Sequence, residues 1–310
     1  MSEQAEVRER PRCLVVLGPT ASGKTTLGVR LAAALGGEVV SADSRQVYRG
    51  LDIGAGKDLD EYVVDGRPVP YHLIDIVDLD VEFSVFDFQQ RFYRTFEALQ
   101  QRGVLPVIVG GTGLYLEAVL SGYRLAPVAE DPELRGELRE LSAEQLVKRL
   151  LALDPRPHNT TDLVDRDRLI RAIEIATHQA AHPAPPAPAV EPLVLGTRWP
   201  REQLRQRIRR RLAQRLDQGL IEEVEGLVAR GVSWEKLHFL GLEYRYVADL
   251  VQGRIKSRND LLQKLASAIN QFAKRQQSWF RRMERRGTVI HWLDGADLAP
   301  ALELARGHGL

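Results

Sequence analysis

Gly18-Pro19-Thr20-Ala21-Ser22-Gly23-Lys24-Thr25 matches the pattern GxxxxGK(S/T) in full. Immediately upstream, the apolar run Leu14, Val15, Val16, Leu17 stops at Gly18; downstream, Leu27, Leu31, Ala34 and Leu35 recur at helical spacing. The segment therefore reads as strand, glycine loop, helix. In such a loop the glycines let the backbone wrap close to phosphates, and the amides from Ser22 to Thr25, with the helix N-terminus, supply positive potential. Lys24 reaches the outer phosphate and Thr25 offers a hydroxyl to magnesium, so the whole stretch from Gly18 to Thr25 is a candidate diphosphate site. The motif specifies a diphosphate and leaves the reaction open.

Outward from this loop, a second short apolar strand, Glu38 to Ser41, leads into Ala42-Asp43-Ser44. A third, Val104 to Val109, ends in Gly110-Gly111-Thr112-Gly113 before a helix near Leu114. Strands alternating with helices predict an α/β fold: a parallel sheet flanked by helices, of the P-loop NTPase kind, with ligands gathered beyond the carboxyl ends of the strands. All three loops are expected at that edge. Residues 11–124 form this core. From Leu125 the texture changes to charged helical segments without strand signals (Asp131 to Leu141, Ala143 to Leu153, Asp165 to Thr177), a helical insertion over 125–180. Residues 181–192, rich in Ala and Pro, read as a stiff connector. The chain then returns to the core over 193–298 through a strand at Leu193 to Gly196, a long helix with Leu204, Ile208, Leu212 and Leu216, further helices to Arg286, and a last strand from Thr288 to Leu293.

The 310 residues, 44% apolar and 27% charged, have a globular composition and suffice for a real core. No apolar run approaches the roughly 20 residues of a membrane span, and the start of the chain is charged, so neither a membrane span nor a secretory signal is expected. The single cysteine, Cys13, excludes an internal disulfide, and a cytoplasmic setting is expected. The net charge of +1 hides segregation: Arg198 to Arg215 holds eight arginines and one acid, and Lys274 to Arg286 six basic residues and one acid. A solvated basic helix face or phosphate recognition would each account for this, the guanidinium fork suiting phosphate oxygens.

In nucleoside triphosphatases an acidic residue usually ends a neighbouring apolar strand and holds magnesium. Here Leu105 to Val109 ends in glycines and a threonine, so either the metal is held more lightly or the chemistry is not triphosphate hydrolysis. Asp43 closes the second strand instead. A lone Asp there can be a helix cap or, at the ligand edge, a general base.

Taken together, GPTASGKT at Gly18, SADSRQVYRGLDIG from Ser41, HLIDI from His72, VGGTGLY from Val109, DPELR from Asp131, DRLIRAIEI from Asp167 and FAKRQQSWFRR from Phe272 resemble the tRNA dimethylallyltransferases over nearly the whole chain. The resemblance implies transfer of a dimethylallyl group from its diphosphate to the exocyclic amine of the adenosine beside the anticodon, releasing pyrophosphate, by a cytoplasmic monomer using Mg2+. It makes Asp43 the general base, Thr112 a positioning hydroxyl and Arg211 the arginine on the leaving diphosphate, with Arg207 one turn before it. It assigns tRNA contacts to Ser44, Arg45 and Gln46, to Arg135, Arg168 and Arg171 in an insertion that clamps the anticodon stem, and to Lys274 and Arg275, with Gln276 in the same motif. Two segments depart from the usual family pattern, Gly54-Ala55-Gly56-Lys57-Asp58 and Gly241-Leu242-Glu243-Tyr244-Arg245-Tyr246, both where RNA or the prenyl group is expected. An adenine-nucleotide prenyltransferase, a small-molecule P-loop kinase and a non-catalytic RNA-binding module are the competing readings.

Overall fold

The computed structural model describes residues 12–155, 165–182, 186–188 and 190–310. The charged leader, the polar stretch at 158–162 and positions 183–185 and 189 of the connector lie outside the described residues. The chain divides into two compact units, one comprising Met1–Ser121 and Pro188–Leu310, the other Gly122–Ala187.

The first unit opens with β1 (Arg12–Leu17), α1 (Lys24–Leu35) and β2 (Glu38–Ala42). A 3-10 turn at Leu59–Tyr62 and a short antiparallel pair, β3 (Val63–Val64) and β4 (Arg67–Pro68), precede β5 (Tyr71–His72). Next come α2 (Val85–Gln101), β6 (Pro106–Gly110) and α3 (Gly113–Leu120). The strands form one six-stranded sheet, completed by β7 (Glu191–Arg198) and β8 (His291–Asp294), in the order β5-β2-β6-β1-β7-β8 with every pairing parallel. β2 and β6 are buried along their full length, as expected where helices cover both faces of a parallel sheet. Because β1 has β6 on one side and β7 on the other, the loops leaving β1, β2, β6 and β7 open at one edge of the sheet, beside the glycine loop.

Two strands start later than the sequence suggests. The N–H of Val104 donates to Leu99 O and that of Thr288 to Met283 O, so each closes the preceding helix before its strand can begin. No element is predicted between Gly54 and Val104, yet this stretch carries β5 and α2. The latter is capped by Ser84 and buries Phe88, Phe92, Phe96 and Leu99.

After β7, five helices pack around a second apolar core: α7 (Arg201–Asp217), α8 (Leu220–Ala229), α9 (Trp234–Phe239), α10 (Leu242–Val251) and α11 (Arg258–Arg285). Leu204, Ile208, Leu212 and Leu216 of α7 join Leu261, Leu265 and Ile269 of α11 over Tyr48 and Leu51. This packing fixes which edge of α7 faces the glycine loop. The terminal α12 (Leu298–Gly307) covers the sheet through Ala301 and Ala305. The second unit is helical within its described residues, with Leu138, Leu146, Leu150, Leu169 and Ile173 as its core. No helix among the described residues is long and apolar enough to cross a membrane.

Candidate active site

The glycine loop connects β1 to α1 through two left-handed residues, Ala21 (φ 60°) and Gly23 (φ 86°). Glycine adopts this conformation freely, whereas alanine costs about 1 kcal/mol there. Ala21 is held by its carbonyl, which accepts from Arg207 Nε at 2.8 Å. Ser22 is buttressed from the end of β7: its hydroxyl accepts from Thr197 Oγ1 at 2.7 Å and its carbonyl from Trp199 Nε1 at 2.8 Å. The Ser22 N–H is turned onto Pro19 O at 3.3 Å, so the anion-facing donors are those where α1 begins, whose first-turn amides have no intrahelical acceptor. Thr20 N–H donates to Gln276 Oε1 at 2.9 Å, while Gln276 Nε2 donates to Gly111 O at 2.9 Å. One buried amide from α11 thus ties the first loop to the third.

Beside the loop lies a cavity of about 360 Å³ whose lining includes Lys24, Thr25, Asp58, Arg207, Arg211 and Arg215. The three arginines recur every fourth residue on α7, flanking its buried leucine stripe, and so share one edge of the helix. Arg207 stacks its guanidinium over the Trp199 ring at 4.2 Å. Arg211 is ion-paired to Asp58, which lies 3.9 Å from Arg215; Arg215 in turn lies 3.5 Å from Glu243. Burial and the neighbouring Arg211 pull the Lys24 pKa down to about 8, with Asp43 opposing. Burial alone would raise the Asp58 carboxyl, but Arg211 and Arg215 outweigh it and hold the group below the usual range. Burial pushes Glu243 up, against Arg215.

Asp43 follows β2 at the same edge. Its Oδ1 accepts from the N–H of Arg45 at 2.8 Å and of Gln46 at 3.4 Å, pinning the turn after the strand and leaving Oδ2 clear of both bonds. Thr112 Oγ1 accepts from Ser44 N–H at 3.2 Å, joining the second loop to the third. Gly111 sits against the Lys24 side chain, a Cβ there falling 3.3 Å from Lys24 Cε. The structure thus brings Asp43, Thr112, Lys24, Arg207 and Arg211 to one edge.

The RNA candidates divide. Arg45 is half-buried and lies over the Phe239 ring at 5.3 Å. Gln46 is buried, accepting from Ser41 Oγ at 2.7 Å and donating to Gly56 O at 3.0 Å, so its side chain braces the loop. Lys274 lines a larger cavity, about 590 Å³, with Arg201, Arg205 and Arg209 from a different face of α7; Arg275 is exposed beside Phe272.

In the second unit, α4 (Pro132–Glu140), α5 (Ala143–Leu153) and α6 (Arg166–Ala181) hold the other candidates. Arg135 makes two 2.9 Å bonds to Glu174, and Arg171 adds one at 3.3 Å and another to Val128 O at 2.7 Å. Only Arg168 among the three projects from an exposed position with no closer carboxylate than Asp165 at 4.0 Å.

The two segments that depart from the family pattern meet. Glu223 accepts from the N–H groups of Asp52, Ile53 and Gly54 and from Tyr244 Oη, which itself accepts from Ala55 N–H at 3.0 Å. Lys57 is fully buried and ion-paired to Asp52 and Asp75. Sequence reasoning named neither Asp58 nor Arg215 as site residues. The four-residue spacing after Arg207 and Arg211 was the available signal for Arg215; nothing local marked Asp58.

Residues 46–283 match the family model described as IPP transferase. The tRNA dimethylallyltransferase 1 of Geotalea uraniireducens is 58% identical over 295 residues, covering 94% of this chain and 96% of the relative. Its namesake in Geotalea daltonii is 60% identical over 291 residues, 93% of each. Among solved structures, the full-length tRNA isopentenylpyrophosphate transferase of Bacillus halodurans aligns with a TM-score of 0.67 at 32% identity, covering 97% of this chain and 95% of that one. The model match alone spans well over half the sequence, and the relatives span nearly all of it. A glycine loop with an arginine edge, an aspartate closing the next strand and these likenesses agree: the chain belongs to the IPP transferase family.

Proposed function

We propose that this protein transfers the dimethylallyl group of dimethylallyl diphosphate to the exocyclic amine of the adenosine adjacent to the anticodon in tRNA, releasing pyrophosphate. The observation that carries this reading is geometric: the loop of Thr112 is bonded both to Ser44 beside Asp43 and, through Gln276, to the glycine loop whose Lys24 lines one cavity with Arg207 and Arg211, so the acceptor side and the leaving-group side are held together. The lone pair of an adenine amine is delocalised, and the amine needs a base as its new bond forms. In the proposed step the allylic carbon–oxygen bond breaks with its electron pair going to pyrophosphate, the carbon–nitrogen bond forms, and the amine proton passes to Oδ2 of Asp43. Thr112 holds the Ser44 backbone so that the carboxylate keeps its aim. Lys24, Arg207, Arg211 and the first-turn amides of α1 receive the charge that gathers on the leaving group.

The donor set suits magnesium: Thr25, with its hydroxyl, lines the cavity, whose wall also carries the carboxylates of Asp60 and Glu61. Among the described residues no group of three or more His, Cys, Asp or Glu side chains is arranged to hold a metal, which favours an ion held mainly by the diphosphate itself. Bound there, magnesium would neutralise charge on the departing pyrophosphate. The proposal includes a cytoplasmic setting and a monomer, with Arg45, Arg168, Lys274 and Arg275 as the exposed or half-buried contacts to RNA and Ser44, Gln46, Arg135 and Arg171 shaping the surfaces that carry them.

The test is transfer of label from radiolabelled dimethylallyl diphosphate, with magnesium, to unmodified tRNA, an anticodon stem-loop and AMP in parallel. Label in tRNA and the stem-loop but not in AMP is the expected result. Label in AMP alone would point to a nucleotide prenyltransferase, and ATP turnover without label to a kinase.

A further inference from the structure

We infer that Asp58 is a built-in competitor of the diphosphate, a fixed anion that shares the arginine edge with the substrate and limits how tightly the product pyrophosphate is retained. The inference rests on the diphosphate seat proposed above and concerns a residue in one of the two atypical segments.

Four observations support it. The Asp58 carboxylate lies in the wall of the cavity that holds Lys24 and Thr25, paired to Arg211 and 3.9 Å from Arg215. An aspartate heading a helical turn ordinarily caps it, yet Asp58 makes no side-chain bond to the turn at Leu59–Tyr62 and sends its carboxylate to the arginines instead. Its backbone is left-handed, φ 47° and ψ 49°, a conformation that costs a non-glycine residue and that persists where the surroundings enforce it. Those surroundings are visible next door: Lys57 is 1% exposed and ion-paired to Asp52 and Asp75, which anchors the segment and denies Asp58 an easy retreat when another anion arrives.

The physical consequence is direct. Without ligand, Asp58 satisfies guanidinium groups that would otherwise repel one another and Lys24 in a partly desolvated space. With pyrophosphate present, three or more negative charges compete for the same cations, and the fixed carboxylate lies close enough to repel the ligand. During reaction the diphosphate gains charge as it leaves, so this repulsion grows as the product forms and favours its escape. An arginine edge of this density would otherwise hold pyrophosphate tightly and make its release slow.

The test is the dissociation constant of inorganic pyrophosphate for the full-length protein, measured by calorimetry with and without magnesium, for the wild type, Asp58→Asn, Asp58→Gly and Asp58→Glu. Glycine removes the charge and also suits the left-handed backbone, which keeps the test open if the asparagine variant folds poorly. Both neutral variants should bind pyrophosphate at least about tenfold more tightly, the scale of one charge interaction in a partly buried site, with and without metal. Asp58→Glu should stay near the wild type. In steady state, the neutral variants should show a lower KM for dimethylallyl diphosphate and stronger inhibition by pyrophosphate, with kcat unchanged or reduced. Loss of a purely structural contact would weaken binding, so a weaker or unchanged dissociation constant in a folded neutral variant overturns the role. Weakening seen only with magnesium would make Asp58 a metal ligand and overturn it equally. A wild type that fails to bind pyrophosphate at all removes the seat itself, a failure distinct from either.

Discussion

Gln276 and Thr20 stand 256 positions apart in the chain and are joined by a 2.9 Å hydrogen bond from the Thr20 N–H to Gln276 Oε1. The other end of the same amide donates to Gly111 O. Both ends of the side chain are therefore spent on backbone of the two loops that frame the reaction edge. Gln276→Ala would leave a carbonyl and an amide without partners, at about 1–3 kcal/mol of stability. Because the loops position reacting groups, a larger effect is expected in kcat/KM, about 10²-fold. A melting curve beside steady-state kinetics separates the two, and a variant that loses stability alone would reduce Gln276 to a brace.

Asp43 has one oxygen bonded to the turn and the other proposed as the base, and the choice of variant matters. Asp43→Asn keeps the Oδ1 acceptor for the Arg45 and Gln46 amides, whereas Asp43→Ala removes the turn's anchor with the base. The asparagine variant should fold as the wild type does, bind pyrophosphate and tRNA similarly, and turn over about 10²- to 10⁴-fold more slowly. Single-turnover rates with saturating tRNA provide the measurement; turnover near the wild-type rate would remove the general-base assignment.

Lys24, with its pKa pulled to about 8, titrates in an accessible range. Below that pH the ammonium is present and holds an anion; as pH rises through it, the cation is lost and pyrophosphate affinity should fall, approaching tenfold per pH unit beyond the break. Lys24→Arg stays charged throughout. Since the ionisation of pyrophosphate is common to both proteins, the ratio of their dissociation constants from pH 7 to 9.5 isolates the lysine. A flat ratio would contradict the shift.

Within the second unit, Glu174 is a buried carboxylate serving Arg135 and Arg171. Burial would raise its pKa, but the bonds from Arg135, the Asp131 amide and Arg171 prevail and lower it from 4.5. A lowered folded pKa means a stabilisation fully present above about pH 4.5 and lost as pH falls through the folded value. Glu174→Gln should loosen this unit by about 3 kcal/mol at neutral pH, as expected when one partner of a buried ion pair is removed. Proteolysis within residues 122–187 should accelerate in the variant, and the difference should shrink in acid. Equal cleavage rates at pH 7 would show the pair to be dispensable.

The elements that position the site were legible because their signals are local. An apolar strand, a glycine loop and a leucine stripe each lie within about a dozen residues, and the parallel sheet follows from their alternation. The α2 helix was missed although its signal is equally local, Phe88, Phe92 and Phe96 recurring at helical spacing behind the Ser84 cap. β5 has no such signal: two residues, Tyr71 and His72, form a strand only because β2 offers them an edge. The fate of the polar side chains was beyond reach for the same reason. Nothing near Gln46 says that its amide is used by Ser41 and Gly56, and nothing near Arg135 says that its fork closes on Glu174. A motif fixes which residues gather at an edge; partners from distant segments decide which of them remain available to a ligand.

The meeting of Gly54 with Tyr244 has a consequence for anyone recombining these enzymes. A Cβ on residue 54 would fall 2.5 Å from the tyrosine ring, and the tyrosine hydroxyl completes the set of donors on Glu223 that also fastens the backbone from Asp52 to Gly54. Glycine, tyrosine and glutamate behave as three pieces of one interlocking part. A hybrid that imports one segment from a relative with a different pattern inherits a collision or an unfilled gap, whereas one that exchanges all three together moves the part whole, and with it the aspartate that faces the arginines.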